Sequence, residues 1–461
     1  MIRPLSILRP SSQGLNHLLT DIGKSKRQMS ALIVGAGLCG LATAIGLRKV
    51  GIRVTVLERS SELREVGAGI QIPPNAANAL HQLGVFELIK AVSVQPPAIT
   101  LRSYTDGSIL RSLNLKTCTR TYGYPLLVTH RADLCKILYQ KALDDGAEVQ
   151  FSCDVTEINF QKPSISLSTG ESLTADVIVG ADGARSVCRE RLLGRSVPPK
   201  STGKLVKRIC LDMSQLRQDP LLRELVEPHG IHIWLGPLSH IVCYGLQGVF
   251  NVVIIQLGHD GTNLDVQEAD LDKVRMDFQA WEPRVQRIIE LAKSALQWPL
   301  LDSFLINPWT SAEGSFALVG DAACTVLPAK SVNPEVFDEV ELIPQSVSAQ
   351  GAAVGFESAF ILSELLSRAG SRDNLPELLQ AYSEVRWQRA SRIRELSHYS
   401  LRILEMPDGP EQVERDAQLR GSELRGNPFV WADPAIQSWL WGFDAQNEVD
   451  KLWASSQSTN A

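Results

Sequence analysis

Three turns, each closing an apolar run, hold the residues of this sequence best suited to chemistry. The run 317–319 passes into Gly320-Asp321, then Ala322, Ala323 and Cys324, before the Leu327-Pro328 stop. A carboxylate there stands at the carboxyl edge of a sheet, where open α/β folds bind their ligands, and the small residues let a helix begin against the ligand. Gly35-Ala36-Gly37-Leu38-Cys39-Gly40 follows the apolar run 31–34, and Glu58 ends a second run at 53–57. At this spacing Gly35 allows a tight turn, Gly37 lets the backbone approach a pyrophosphate, Gly40 lets helix pack on strand, and Glu58 takes ribose hydroxyls. The plain alternative is a glycine turn without a ligand. The third turn, Gly180-Ala181-Asp182-Gly183 with Arg185 and Ser186, closes the run 175–179, and its plain alternative is a turn capped by Asp182.

Positioning three such turns takes a large frame. At 461 residues the chain can bury a sizeable core, and two intimately joined domains are expected. Hydrophobic residues at 44%, charged residues at 21% and a net charge of −5 give no reason to expect a polyanionic partner, so nucleic-acid binding is not expected. The 8 cysteines form no C-x-x-C pair and the 8 histidines no H-E-x-x-H spacing. Reduced thiols, a cytoplasmic location and no metal follow as expectations. Residues 231–258 contain no Lys, Arg, Asp or Glu, but Gly236-Pro237, Gly245, Gly248 and Asn251 punctuate them, so short buried strands joined by turns are expected rather than a membrane span.

Arg3, Arg9, Lys24, Lys26 and Arg27 outweigh Asp21 in residues 1–28, as in a weak transit peptide, yet Met29-Ser30 stands directly before the first strand. A disordered or mis-assigned leader is therefore the preferred expectation. Residues 65–75 carry too many small and breaker residues for a core element and read as a loop entering a helix at Ala76. Runs near 99–104 and 109–115, joined by Thr105-Asp106-Gly107-Ser108, read as a hairpin of a second sheet, and a helix opens near Arg131. From 191 to 299 strands and turns prevail. Alternation puts His240, Val242 and Tyr244 on one face, a polar end and an apolar middle for one pocket. Leu378, Leu379, Tyr382, Ile393 and Leu396 recur at helical spacing after Asn374 and Pro376, beside an Arg386, Arg389, Arg392 stripe that reads as a solvated or ion-paired face.

The three turns, in this order, resemble the flavin signatures of group A, single-component FAD-dependent aromatic hydroxylases, closest to the salicylate hydroxylase-like branch, and the resemblance covers nearly everything after Met29. It implies an α/β fold: a Rossmann-like FAD-binding domain with an inserted, mainly β-sheet substrate domain and C-terminal helices. The expected division is a leader at 1–28, a discontinuous FAD-binding domain at 29–190 and 300–369, a substrate domain at 191–299, and a helical region at 370–461. The implied reaction uses NAD(P)H to reduce FAD, forms a flavin C4a-hydroperoxide with O2, and hydroxylates a phenolic or aromatic-acid substrate. Monomer or homodimer are both compatible with it.

The resemblance also implies roles. Gly69 and Ile70 become backbone neighbours of the isoalloxazine, and Arg131 reaches the phosphate or ribitol. Asp182 and Gly183 serve FAD and the nicotinamide donor together, since no second complete glycine motif is present. Asp321 holds the ribityl chain or pyrophosphate region instead of acting as a base, and the amides of Gly351 and Ala352 meet the flavin. The strand holding Arg208 looks like the one whose arginine faces substrate, and Tyr244 looks across at it. Arg208 would pair with a carboxylate or phenolate and Tyr244 would hydrogen-bond the ring hydroxyl; the alternatives are a sheet-edge charge and a core tyrosine.

Departures from the family pattern leave other readings open. Cys324 stands where many relatives carry histidine, and residues 329–348 interrupt a passage that in the family runs from Leu-Pro almost directly into Ala349-Gln350-Gly351. Another FAD oxidoreductase, an oxidase or epoxidase, is one alternative. A flavin-poor pseudoenzyme disabled by the 329–348 insert is the other.

Overall fold

The computed structural model describes residues 28–63, 69–198, 200–258, 265–302, 305–324, 350–369 and 371–458. The leader through residue 27 and the insert at 329–348 lie outside the described residues. Five parallel strands form the first sheet, in the order Phe316–Leu318, Val177–Gly180, Ser30–Val34, Arg53–Leu57 and Glu148–Gln150. The first three of these are buried along their whole length, as a parallel sheet covered on both faces requires, which is why they read as unbroken apolar runs. The helix Leu38–Lys49 connects Ser30–Val34 to Arg53–Leu57 and packs closely on the helix Gly351–Ser367. A Cβ on Gly46 would stand 2.3 Å from the Ser363 hydroxyl, and one on Gly355 would stand 2.2 Å from the Cys39 sulfur.

A second sheet has eight strands, in the order Gln267–Glu268, Leu296–Asp302, Lys200–Asp212, Val249–Leu257, Ser239–Gly245, Ile231–Gly236, Ala98–Ser103 and Ile109–Asn114. The expected hairpin is present, joined to the rest through the one parallel pairing, Ala98–Ser103 against Ile231–Gly236. This sheet thus draws strands from both sides of the dinucleotide strand Val177–Gly180. The charge-free stretch forms three antiparallel strands, and no helix among the described residues is long and apolar enough to cross a membrane.

The outer face of this sheet carries Ile209, Leu211, Trp234, Ile241, Cys243, Phe250, Val252 and Ile254, packed under short helices that contribute Leu216, Leu225, Val274 and Ile288. The inner face is uneven. Ile99, Leu101, Ile231, Ile233 and Leu235 join the main core at one end, whereas only Val206, Ile255 and Leu300 form a small buried cluster at the other.

The C-terminal helices are fastened by charge inside the core. Glu357 accepts from Arg386 at 2.8 Å and from Arg389 at 2.7 Å, and from the Asn75 amide at 2.8 Å. Arg389 also donates to the Leu440 carbonyl and lies 3.6 Å from the Phe443 ring centroid, tying the aromatic tail to the long helix Leu375–Leu404. The arginine stripe is ion-paired, but Arg386 and Arg389 are buried and only Arg392, paired with Glu395, belongs to the surface.

Two local expectations differ from the structure. Within the stretch read as a loop, Gly69–Ile72 is a strand, because Leu127–His130 from far along the chain supplies its hydrogen bonds. His240 does not offer a free polar end to a pocket: its Nδ1 lies 2.8 Å from Glu405, which also pairs with Lys204. The carboxylate comes from the end of the long helix, far away in sequence.

Candidate functional site

The carboxyl ends of the dinucleotide strands open on a cavity of about 330 Å³. Gly37, Gly183 and Asp321 reach it from the three turns; Gly69 and Ile70 from the short strand; Arg131, Gly351 and Ala352 from helix starts; and Tyr244 from the second sheet. Residues scattered over most of the chain therefore share one wall. Gly35, Gly40, Glu58, Asp182 and Arg208 do not line it.

Gly35 and Gly40 act through close packing. Gly35 has φ +107°, and a Cβ on it would stand 2.6 Å from the Ala181 carbonyl oxygen; one on Gly40 would stand 1.9 Å from the oxygen of Gly35. A Cβ on Gly37, by contrast, would meet nothing within 4 Å, so its backbone faces open space. The helices Leu38–Lys49 and Gly351–Ser367 both start at the cavity with no side-chain cap bond and no acid in the first turn. Their first N–H groups and positive dipole ends thus remain available to an anionic ligand. Gln71 is also on the wall, and its buried Oε1 has no partner among the described residues. An open glycine, two uncapped helix starts and an orphaned acceptor fit a dinucleotide.

The two remaining acids brace their turns. Glu58 accepts from the Ala36 N–H at 2.9 Å and from the Ser60 N–H at 2.9 Å. Asp182 accepts from the Ser186 hydroxyl at 2.5 Å and from the Cys188 N–H at 3.0 Å, while Ser186 caps the helix Val187–Leu193. From that helix the buried Arg189 donates to the carbonyls of Ala184, at 2.6 Å, and Asp321, at 3.3 Å, so it links the second and third turns. The Gly320 turn also needs φ +60°, where an added Cβ would meet Cys39 at 2.5 Å.

Electrostatics divide the wall. Solvent reaches Asp321 through the cavity, yet the protein around it is dense enough for desolvation to push its carboxyl upward, against the pull of Arg131 and Arg189. Burial and then Asp321 push the Cys39 thiol up to about 12, so it remains a neutral thiol. Burial raises the Tyr244 hydroxyl strongly, with Arg208 opposing, so at neutral pH it is protonated and can donate. Arg208 lies on the same sheet face, with the strand Val249–Leu257 between them. Its guanidinium sits 5.2 Å from the Trp298 ring centroid, and its buried Nε has no partner among the described residues.

The sequence profile of the FAD binding domain family matches residues 28–332. The chain belongs to this FAD-binding family. A 3-hydroxybenzoate 6-hydroxylase of Klebsiella oxytoca is 30% identical over 371 residues, 79% of this chain and 86% of the relative. The FAD-dependent monooxygenase OpS4 of Beauveria bassiana is 29% identical over 444 residues, 95% of this chain and 100% of the relative. Among solved structures, a salicylate hydroxylase substrate complex superimposes with a TM-score of 0.71 at 22% identity, over 92% of this chain and 97% of that one. CtdE in complex with FAD and a substrate gives 0.76 at 20% identity, over 94% and 100%. The structures show the shared fold, and the relatives show the enzyme class: this chain is an FAD-dependent monooxygenase of the aromatic hydroxylase type.

Several residues at or beside this cavity carry no assigned role in the sequence motifs. Leu38, Cys39 and Ala181 line the cavity from inside the quoted motifs, where only the glycines and acids have an assigned role. Gln71 lies in a stretch that reads as loop. Asn251 reads as turn punctuation, but it sits inside the strand Val249–Leu257, fully buried, and accepts the Gly69 N–H at 3.2 Å. A polar residue within an apolar strand pattern is the available signal.

Proposed function

We propose that this monooxygenase hydroxylates a phenolic or aromatic-acid substrate, taking electrons from NAD(P)H and oxygen from O2. The observation that carries the reading is the inner face of the second sheet beside the cavity, where the buried Nε of Arg208 has no partner among the described residues and burial keeps the Tyr244 hydroxyl protonated. Donors of this kind suit an aromatic ring bearing a carboxylate or phenolate oxygen. Bound FAD supplies the redox and oxygen-transfer chemistry, which no side chain can. Around it, Gly35, Gly37 and Gly40 would shape the pyrophosphate turn, and Glu58 would accept from ribose hydroxyls with the lone pairs that Ala36 and Ser60 leave unused. Arg131 would hold phosphate or ribitol, Asp182 and Gly183 would form the shared FAD and nicotinamide edge, and Asp321 would accept from ribityl hydroxyls. The backbones of Gly69, Ile70, Gly351 and Ala352, which line the cavity, would border the flavin ring. Arg208 pairs with the substrate anion, Tyr244 donates to the ring oxygen, and the packed sheet keeps bulk water away.

The same reading keeps the division into 29–190 with 300–369, 191–299 and 370–461, and a cytoplasmic monomer or homodimer. The test uses purified full chain with 3-hydroxybenzoate, salicylate and their methyl esters. Flavin absorbance, substrate-stimulated NAD(P)H oxidation, O2 uptake and an oxygenated product are the expected results. Colourless protein that cannot be reconstituted with FAD overturns the reading, and O2 uptake without an oxygenated product points to an oxidase. Flavin content with and without residues 329–348 tests the pseudoenzyme alternative.

A further inference from the structure

Two elements of the cavity wall are tied together behind it by a buried polar cluster. The helix Pro74–Gln82 opens just after the wall strand Gly69–Ile72, and Asn75 is its second residue. The Asn75 amide nitrogen donates to Gln350 Oε1 at 2.8 Å and to Glu357 Oε1 at 2.8 Å. Gln350 is the N-cap residue of the helix Gly351–Ser367, whose first residues Gly351 and Ala352 also line the cavity. Asn75, Gln350 and Glu357 are all buried.

Glu357 holds the Asn75 amide in one orientation. Arg389 and Arg386 keep this carboxylate ionised, and an ionised carboxylate only accepts. The amide nitrogen of Asn75 must therefore face it, which turns Oδ1 toward the Gln350 amide, 3.5 Å from its Nε2. Gln350 spends its side chain on Asn75 and makes no cap bond to its own helix, while its carbonyl accepts the first helical bond from the Val354 N–H at 2.9 Å. Where Gln350 stands thus decides where the open N–H groups of the helix start stand. Apolar side chains could join the two helices, but dispersion fixes only proximity; a satisfied hydrogen-bond cluster also fixes distance and direction.

We propose that Asn75 is a positioning residue for the cofactor: fixed by Glu357, it locks Gln350 and so sets the open helix start at Gly351 and Ala352 against the wall strand Gly69–Ile72. Asn75 itself lines no cavity and touches no ligand. The inference rests on the reading that Gly351 and Ala352 border bound FAD. It also gives the paired arginines of the long helix a role at the cofactor, because their charge is what orients Asn75.

The test titrates FAD into apoprotein of the full chain for wild type, Asn75→Leu, Gln350→Leu and the double variant, with denaturant unfolding of each apoprotein alongside. Each single variant should weaken FAD by about ten-fold or more, as expected for a broken buried hydrogen bond. The double variant should lose no more than about three-fold beyond the weaker single, because both substitutions cut the same link. Amide exchange at the start of Gly351–Ser367 should accelerate in all three. Phe250→Ala, which loses stability in the second sheet, should keep FAD affinity within about two-fold, so that instability alone does not move the readout. Gln350→Leu carries the test if Asn75→Leu does not fold. Unchanged FAD affinity in the single variants, losses that multiply in the double variant, or an equal loss in Phe250→Ala overturns the proposal. Ala352→Asp tells the two failures apart, since an acid in the first turn should oppose the cofactor's negative charge and weaken FAD by about five-fold or more. If Ala352→Asp changes nothing, the helix start does not face FAD and the reading of the site falls together with the proposal. If it weakens FAD while the Asn75 and Gln350 variants do not, Asn75 alone is removed.

Discussion

Along Lys200–Asp212 and Ser239–Gly245, residues adjacent in sequence meet different surroundings. Ile209, Leu211, Ile241 and Cys243 are buried beneath helices, while Arg208 and Val242 are half-buried, Cys210 is exposed, and Tyr244 borders the cavity. A strand's period of two lets one face supply cohesion while the other carries groups that packing alone would reject. The outer face packs the sheet beneath helices, so the inner face can carry Arg208 and Tyr244 near the cavity.

The largest break in this contrast is Phe250→Ala on the outer face. Removing a fully buried ring should cost about 3–5 kcal/mol in denaturant unfolding while leaving substrate KM near wild type in the folded fraction. If KM shifts instead, the two faces are mechanically coupled.

Acid sensitivity should come from neither face but from Glu357. Burial alone would raise its carboxyl, yet Arg389 and Arg386 overcome this and hold it at about 2. Its folded value lies below its unfolded one, so the stabilisation is fully present above the usual value of 4.5 and is lost as pH falls toward 2. The contribution is roughly 3 kcal/mol, at about 1.4 kcal/mol for each tenfold change in proton affinity. Denaturant midpoints between pH 5 and pH 3 should fall for wild type and flatten for Glu357→Gln, which is destabilised at neutral pH because its arginines lose their partner.

On the inner face Arg208→Ala should raise the KM for acidic phenols by about 10- to 100-fold, with less than about 1 kcal/mol lost in stability. Unchanged kinetics would remove Arg208 from the site. The mildest and cleanest comparison uses one residue type on both faces. Cys210→Ser should leave stability within about 0.5 kcal/mol. Cys243→Ser, which buries a hydroxyl among apolar side chains, should cost about 1–3 kcal/mol. In the folded enzyme a thiol reagent should modify Cys210 and spare Cys243; equal reactivity would show that the outer face is not sealed.

The flavin-side turns were legible because their geometry constrains residue type. Only glycine tolerates the φ of Gly35 and the contact at Gly40, and the buried parallel strands had to be apolar on both faces. The face shared by Val242 and Tyr244 followed from alternation. Partners that depend on distant chain were not legible: Glu405 against His240 and Lys204, Glu357 against Arg386 and Arg389, and Leu127–His130 against Gly69–Ile72. Nothing local marks which acid will meet which base.

The amino-acid sequence by itself determined the family, the three turns and the alternation of the sheet, since these depend on short-range sterics and burial. Tertiary structure decided that two uncapped helix starts meet at one cavity, that Asp182 and Glu58 brace their turns, and that Asn251 reaches Gly69. Those contacts join segments far apart in the chain, and only packing of the two sheets sets their distances.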